Sequence, residues 1–260
     1  MQIIDDLNQT ISMDSAPQRI ISLVPSLTEL LFDLGLGDRI VGVTKFCIHP
    51  PHAQQVAKKV GGTKKFNFEQ IKDLEPDLII ANKEENYKEG IEQLCQDYTV
   101  YISDIFDLED AVRTILNIGR MTQTEPESKQ LVEIIQQEFE DVKDKLEGSV
   151  LYLIWQDPVM VAASDNFIDF LLRCLGLENV AGHLSRYPEL DHETLRSLSP
   201  DYVFLSSEPY PFKEKHLSIY KHLFPNAEVM LVDGEMFSWY GSRLVHSPKY
   251  FMSLPVSRRR

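Results

Sequence analysis

Short apolar runs alternate with amphipathic stretches along nearly the whole chain. Residues 20–24 (IISLV), apolar except for Ser22, predict a buried strand. In the stretch that follows, Leu27, Leu30, Leu31 and Leu34 make a stripe at helical spacing; Ser26 stands at the expected N-cap, and Gly35 and Gly37 at its end. Residues 40–44 (IVGVT) predict a second strand, and 50–59 (PPHAQQVAKK) a short helix opening at its prolines. Residues 68–76 (FEQIKDLEP) predict a turn or two of helix stopped by Pro76, and 77–82 (DLIIAN) a third strand. Helix over 86–97, strand over 99–103 and helix over 107–122 continue the series. Strands alternating with helices predict a parallel sheet.

A different pattern follows. Leu131, Ile134, Ile135, Phe139, Val142 and Leu146 recur at helical spacing over residues 125–146, with charges filling the other face and no Gly or Pro after Pro126. This predicts one long helix; a flexible linker would be rich in Gly, Ser or Pro. Beyond it the alternation resumes: strands over 150–155 and 159–163, a helix over 165–176, then 192–198, 202–207, 211–223, 227–233 and a last segment from Ser238 to Leu254. The expected organisation is an N-terminal α/β lobe over 1–122, a connecting helix over 123–147 and a C-terminal α/β lobe over 148–260. The fold class is α/β, with two Rossmann-like lobes of parallel-rich sheets joined by one long α-helix.

The two lobes repeat one another. Residues 68–81 (FEQIKDLEPDLIIA) match 192–205 (HETLRSLSPDYVFL), pairing Glu69 with Glu193, Ile71 with Leu195, Leu74 with Leu198, and Pro76-Asp77 with Pro200-Asp201. A second echo precedes each copy, residues 30–42 (LLFDLGLGDRIVG) against 171–182 (LLRCLGLENVAG). Two similar lobes are suited to clamping a small ligand, so the repeat points to binding rather than to chemistry.

Composition narrows the partners. A net charge of −14 argues against nucleic acid, which needs a basic face. The three cysteines, Cys47, Cys95 and Cys174, are far apart and form no CxxC pair, which argues against a zinc or redox framework. Cys95 and Cys174 lie in helical apolar patterns as expected core thiols, whereas Cys47 falls in a loop. The first twenty residues are acidic and polar, without the basic start and apolar run of a secretory signal. No stretch approaches the roughly 20 apolar residues of a membrane span.

Ligands of parallel sheets sit at the carboxyl ends of the strands. In the first lobe these loops hold Pro25 and Ser26, the run Lys45-Phe46-Cys47-Ile48-His49, and Asn82-Lys83; in the second, Trp155-Gln156-Asp157, Arg186-Tyr187, Ser206-Ser207-Glu208 and the SWYGSR segment. Trp239, Tyr240 and Arg243 are expected to offer flat stacking surfaces beside a fixed cation, suiting a large planar or anionic ligand. The alternative is that these aromatics are buried within their lobe. For a bare metal, His49, His183, His192 and His246 with Asp157 and Glu208 are available, but no HxH or HExxH pair joins them and no metal site is assigned. No nucleophile elbow, P-loop or dinucleotide fingerprint is present, and the spacing at Ser128 falls within a predicted helix. No catalytic residue or cofactor is assigned, although Asp157, Glu208 and Asp233 would be the carboxylates of an enzymatic alternative.

Residues 16–35 (APQRIISLVPSLTELLFDLG), 41–51 (VGVTKFCIHPP), the box at 67–81 and its counterpart at 192–206 resemble the ABC-transporter substrate-binding proteins whose lobes are joined by one rigid helix. These are the cobalamin- and ferric-siderophore-binding proteins, including the helical-backbone metal receptors, and the resemblance spans roughly residues 16–254. It implies a ligand held between the lobes with modest opening, any iron or cobalt belonging to the ligand. Pro25, Ser26, Phe46, Cys47, His49, Trp155, Tyr187, Trp239, Tyr240 and Arg243 are the expected ligand-binding residues. The resemblance implies that Glu69 and Glu193 dock onto arginines of the membrane permease, where paired rim charges give orientation and on-rate. Phe46 and Tyr187-Pro188 match the cobalamin binders of the group, while Lys64, Lys65 and Phe66 stand where those binders carry a Trp; the two lysines suit an anionic chelate such as a ferric siderophore, with haem as a further ligand class. The resemblance further implies a monomer that meets the membrane only through the permease, in the periplasm or outside the cell. A cytoplasmic small-ligand-binding or accessory protein reusing the fold is the alternative.

Overall fold

The predicted alternation resolves into two α/β units in the computed structural model, which describes residues 1–259. The first unit comprises Met1–Ile135 and Tyr240–Val245; the second comprises Gln136–Trp239 and the chain from His246 onward. In chain order the first holds β1 (Gln2–Ile4), β2 (Thr10–Ser12), β3 (Ile20–Ser22), α1 (Pro25–Asp33), β4 (Ile40–Val43), α2 (Ala53–Val56), β5 (Lys58–Lys59), β6 (Gly61–Gly62), β7 (Lys65–Phe66), α3 (Phe68–Asp73), β8 (Leu78–Asn82), α4 (Lys88–Asp97), β9 (Val100–Ser103) and α5 (Leu108–Thr122). Helix α6 (Glu125–Val142) carries the chain into the second unit.

Five strands of the first unit form a parallel sheet in the order β5-β4-β3-β8-β9. Every residue of β3, β8 and β9 is buried, which is why these strands read as near-continuous apolar runs rather than alternating ones. Ile21, Ile79 and Ile102 of the sheet pack with Ile71, Ile91 and Leu94 of the helices. The join between α5 and α6 is tight: Gln123 takes the left-handed conformation at φ 60°, and a Cβ on Gly119 would lie 2.0 Å from Ser128 Oγ. That approach accounts for a glycine in the last turn of α5 and for the buried Ser128 opposite it.

The second unit follows with β10 (Ser149–Trp155), β11 (Met160–Val161), α7 (Phe167–Leu175), β12 (Glu178–Asn179), α8 (His192–Ser197), β13 (Tyr202–Ser206), α9 (Glu214–Leu223), β14 (Glu228–Val232), α10 (Gly234–Ser238) and α11 (Ser247–Phe251). Its sheet order is β11-β10-β13-β14 with β12 also on β10; only β11 runs antiparallel. Leu151, Leu153, Val203, Leu205 and Val229 pack against Phe212, Tyr220 and Phe224.

The sequence repeat is visible in the hydrogen bonds. In the first unit Asp77 accepts from the amides of Gln18 at 2.7 Å and Arg19 at 2.9 Å, while its own amide donates to Arg19 O at 3.0 Å. In the second, Asp201 accepts from the Ser149 amide at 2.7 Å and hydroxyl at 2.8 Å, and its amide donates to Ser149 O at 3.0 Å. Each Pro-Asp thus clamps the start of one central strand to the start of its neighbour. The other echo ends alike, Gly35 at φ 78° after α1 and Gly176 at φ 93° after α7. The Ser149 amide and then its hydroxyl hold the Asp201 carboxyl below the usual range. A depressed carboxylate contributes stability above its unfolded pKa of about 3.9 and loses it as pH falls through the folded value. Asp201→Ala is expected to lower the unfolding free energy by about 1 kcal/mol at neutral pH, after allowance for its exposure, with the difference shrinking in acid. An unchanged urea midpoint at neutral pH would contradict this.

Several details differ from the sequence expectations. Val24, not Ser26, occupies the N-cap of α1; Pro25 fills the first turn, where its missing N–H costs nothing, and Ser26 is a buried helical residue. Helix α2 begins at Ala53, past both prolines, with His52 at its N-cap. The β1–β2 and β6–β7 pairs were not expected, because strands of two or three residues carry no readable period. Helix α6 ends at Val142 rather than 146. Residues 240–245 group with the first unit, whereas the sequence placed all of 148–260 in one lobe.

Candidate functional site

In the first unit the strand order reverses at β3, which has β4 on one side and β8 on the other, and a crevice opens at the carboxyl ends of such a pair. Two asparagines build that edge. Asn82, the last residue of β8, donates to Ser103 O at 3.1 Å and accepts from the amides of Glu84 at 2.9 Å and Glu85 at 3.0 Å. Asn86 is buried; it donates to Leu23 O at 3.2 Å and Thr63 O at 3.1 Å, and accepts from Asn82 N at 2.9 Å. Sequence reading placed Asn82 in this edge and missed Asn86. The spacing NKEEN after a buried strand was the available signal.

Phe46, in the loop after β4, leaves 49% of its surface exposed, with Lys45 Nζ 4.9 Å from its ring centroid. It is the open aromatic face of this edge. Its neighbour Cys47 is wholly buried, receives a hydrogen bond from Thr28 Oγ1 at 3.0 Å and lies 3.2 Å from Thr44 Oγ1. Burial pushes its thiol pKa up, so Cys47 is a core residue that anchors the loop and not a surface ligand contact. His49 and Pro25 are half-buried at the same edge.

Tyr240 and Arg243 also belong to the first unit, and both are buried. Arg243 makes a two-pronged pair with Glu29 of α1, Nε to Oε2 at 2.9 Å and Nη2 to Oε1 at 2.7 Å. Gly241 between them has φ 114°, and a Cβ there would stand 3.3 Å from Ser26 O. Ser26, Glu29, Gly241 and Arg243 therefore form one packed cluster. The expectation that Tyr240 offers an open stacking face and Arg243 an open cation is corrected by this burial, since the guanidinium is already neutralised by Glu29.

In the second unit the order reverses at β10, and Trp155 ends that strand. It is 37% exposed, donates Nε1–H to Asp157 O at 3.1 Å, and meets Tyr210 edge-on at 5.6 Å. Tyr187 is half-buried, with Arg186 Cζ 5.8 Å from its ring. Trp239 is only 7% exposed, and its Nε1–H donates to Glu208 Oε1 at 2.8 Å, so the expected open indole is instead a buried, hydrogen-bonded one. The same Glu208 oxygen accepts from Ser238 Oγ at 2.7 Å. Burial pushes the Glu208 carboxyl above its ordinary range; the Ser238 and Trp239 donors pull it down, and Glu235 and Asp233 push it up. Asp233 caps α10 by accepting from Glu235 N at 3.1 Å.

Glu69 and Glu193 each occupy the second position of their helix, α3 and α8, behind the capping side chains of Asn67 and Asp191. Both are exposed. His183, His192 and His246 are exposed at separate places, and among the described residues no three His, Cys, Asp or Glu side chains converge on a metal-binding point. No described helix is long and apolar enough to cross a membrane.

This chain is 29% identical over 213 residues, 77% of its length and 67% of the relative's, to an uncharacterized ABC transporter substrate-binding lipoprotein, YvrC, of Bacillus subtilis. It is 28% identical over 204 residues to the vitamin B12-binding protein of Vibrio vulnificus, covering 76% of this chain and 74% of that one. Among solved structures, the periplasmic heme-binding protein RhuT from Roseiflexus sp. RS-1 superposes with a TM-score of 0.78 over 90% of this chain and 95% of that one, at 20% identity, a likeness of fold. Residues 20–229 match the family described as periplasmic binding protein, and with two parallel-rich α/β units and the duplicated Pro-Asp clamp, the chain belongs to that family.

Proposed function

We propose that this protein is the substrate-binding protein of an ABC importer, and that it captures a metal chelate of the cobalamin, haem or ferric-siderophore class for delivery to the permease outside the cytoplasmic membrane. The observation that carries the ligand class is the pair of open aromatic faces, Phe46 and Trp155, each at the carboxyl edge of its own sheet. A large flat or ring-bearing ligand stacks on such faces and gains by removing them from water. Family membership and the names of the relatives support the same class. Two carboxylates of the second unit's carboxyl edge favour binding over catalysis: Glu208 is engaged by two donors, and Asp233 by a helix N-terminus. Glu69 and Glu193 are the proposed docking acids.

The test is a tryptophan-fluorescence titration against cyanocobalamin, haemin, several ferric siderophores and free metal ions. Saturable quenching by one chelate is expected, reported mainly by the exposed Trp155. Phe46→Ala and Trp155→Ala are each expected to weaken that ligand roughly tenfold, the equivalent of about 1.4 kcal/mol of lost stacking and burial. No response from a folded protein across the panel, or affinities in both variants equal to that of the unsubstituted protein, rejects this ligand class.

A further inference from the structure

One carboxylate oxygen secures the end of a short helix at the second unit's carboxyl edge. Glu208 Oε1 accepts from Ser238 Oγ at 2.7 Å and from Trp239 Nε1 at 2.8 Å, so the last residue of α10 and the one capping it share a single acceptor. The start of α10 is bound to the same loop: Gly234 N donates to Ser207 Oγ at 2.9 Å, and a Cβ on Gly234 would lie 2.6 Å from Glu208 Cγ. The helix has only five residues, too few to hold its own shape, so these side-chain bonds define it. Trp239 is also the last residue before the chain enters the first unit at Tyr240.

We propose that Glu208 is a positioning residue for ligand capture: ionised, it fixes the Ser238 hydroxyl and the Trp239 indole, and when protonated it lets that end of α10 loosen and weakens ligand retention. The ligand half of this inference rests on the binding function proposed above. Hydrogen bonds to an ionised acceptor are about twice as strong as neutral ones, so two are weakened by one proton. The titratable groups facing Glu208 are Asp233 and Glu235 on α10 and its cap and Tyr152 on β10; Tyr250 on α11 faces Asp233 and Tyr152, and its hydroxyl accepts from Asp233 N at 2.7 Å. Burial and the two neighbouring acids raise the Glu208 carboxyl, which brings its protonation to milder acidity than for a solvent-exposed glutamate.

The chain has two tryptophans, so Trp155→Phe leaves Trp239 as the only one, excited selectively beyond the absorption of the tyrosines. In that full-length variant, Trp239 emission is expected to titrate in one step with a midpoint above the ordinary glutamate value of about 4.3. Adding Glu208→Gln, whose amide oxygen accepts as a neutral group and does not titrate, is expected to abolish the step and leave the spectrum near its low-pH form at every pH. A titration surviving in the Gln variant, or none without it, overturns the assignment. Affinities for cyanocobalamin, haemin and a ferric siderophore are then measured by calorimetry with Trp155 in place. On passing from about pH 7.5 to the acid side of that emission midpoint, the chain with Glu208 is expected to lose roughly three- to tenfold in affinity, and Glu208→Gln to lose none. Equal pH dependence in both overturns the ligand half. Binding of no probe at either pH overturns it together with the proposed function, while the emission result separately decides the positioning role.

Discussion

Cells carrying the Glu69→Arg/Glu193→Arg double variant are expected to take up ligand at least roughly a hundredfold more slowly, while the purified protein binds that ligand as tightly as before. Both carboxylates are exposed, and both stand at the second position of a short helix whose N-cap side chain fixes its start, Asn67 accepting from Gln70 N at 3.1 Å and Asp191 from Thr194 N at 2.7 Å. Each helix is pinned from below by one fully packed residue, Ile71 or Leu195. The two acids are thus presented by equivalent scaffolds, and neither is consumed within its own unit by the caps. Like-charge juxtaposition at an interface costs several kcal/mol, enough for a hundredfold loss at one site alone. If each glutamate served only its own helix dipole, reversal would cost a few tenths to one kcal/mol of stability and leave transport untouched. Uptake by a membrane-reconstituted importer, measured beside solution affinity, separates the two. Normal uptake by the double variant would eliminate the docking role.

Much of the scaffold behind this prediction was readable from residue order. The strands β3, β8, β10 and β13 are near-continuous apolar runs because helices cover both faces of a parallel sheet, and that burial leaves an unmistakable trace. The Pro-Asp repeat was readable too, although its purpose, clamping one strand start to the next, required coordinates. Exposure within loops was not readable. Phe46 and Trp239 are both aromatics beside a strand or helix end, yet one is half open and the other 7% exposed. The difference comes from Glu208, an acceptor 31 residues away in sequence, and no local pattern encodes such a partner. Cys47 and Ser26 went the same way. Each looked like an edge residue, and each is buried, Cys47 beneath Thr28 of α1 and Ser26, itself in α1, against Gly241.

The longest-range of these partnerships carries the largest expected effect on stability. Arg243 and Glu29 are 214 residues apart in sequence and joined by two hydrogen bonds in the first unit, with side-chain exposures of only 10% and 16%. Removing one partner of a buried pair leaves the other charge without its counterion in a low-dielectric setting, a loss of about 3–5 kcal/mol, whereas removing both with apolar replacements of similar size is often neutral. Arg243→Ala and Glu29→Ala are therefore each expected to destabilise the first unit by about 3 kcal/mol, and Glu29→Leu/Arg243→Met to recover most of it. Arg243→Lys is expected to fall between, since an ammonium does not reproduce the planar fork that reads both carboxylate oxygens. The effect should be confined to one transition: residues 240–245 lose their hold on α1, while the hydrogen bonds of the second-unit sheet are untouched. Denaturant unfolding followed by amide exchange resolves the two units, and a mutant cycle gives the coupling. Additive single losses with no recovery in the double variant would mean that the pair contributes no more than two independent side chains. Strong coupling would identify it as the clasp that returns the chain, after Trp239, to the unit in which it began.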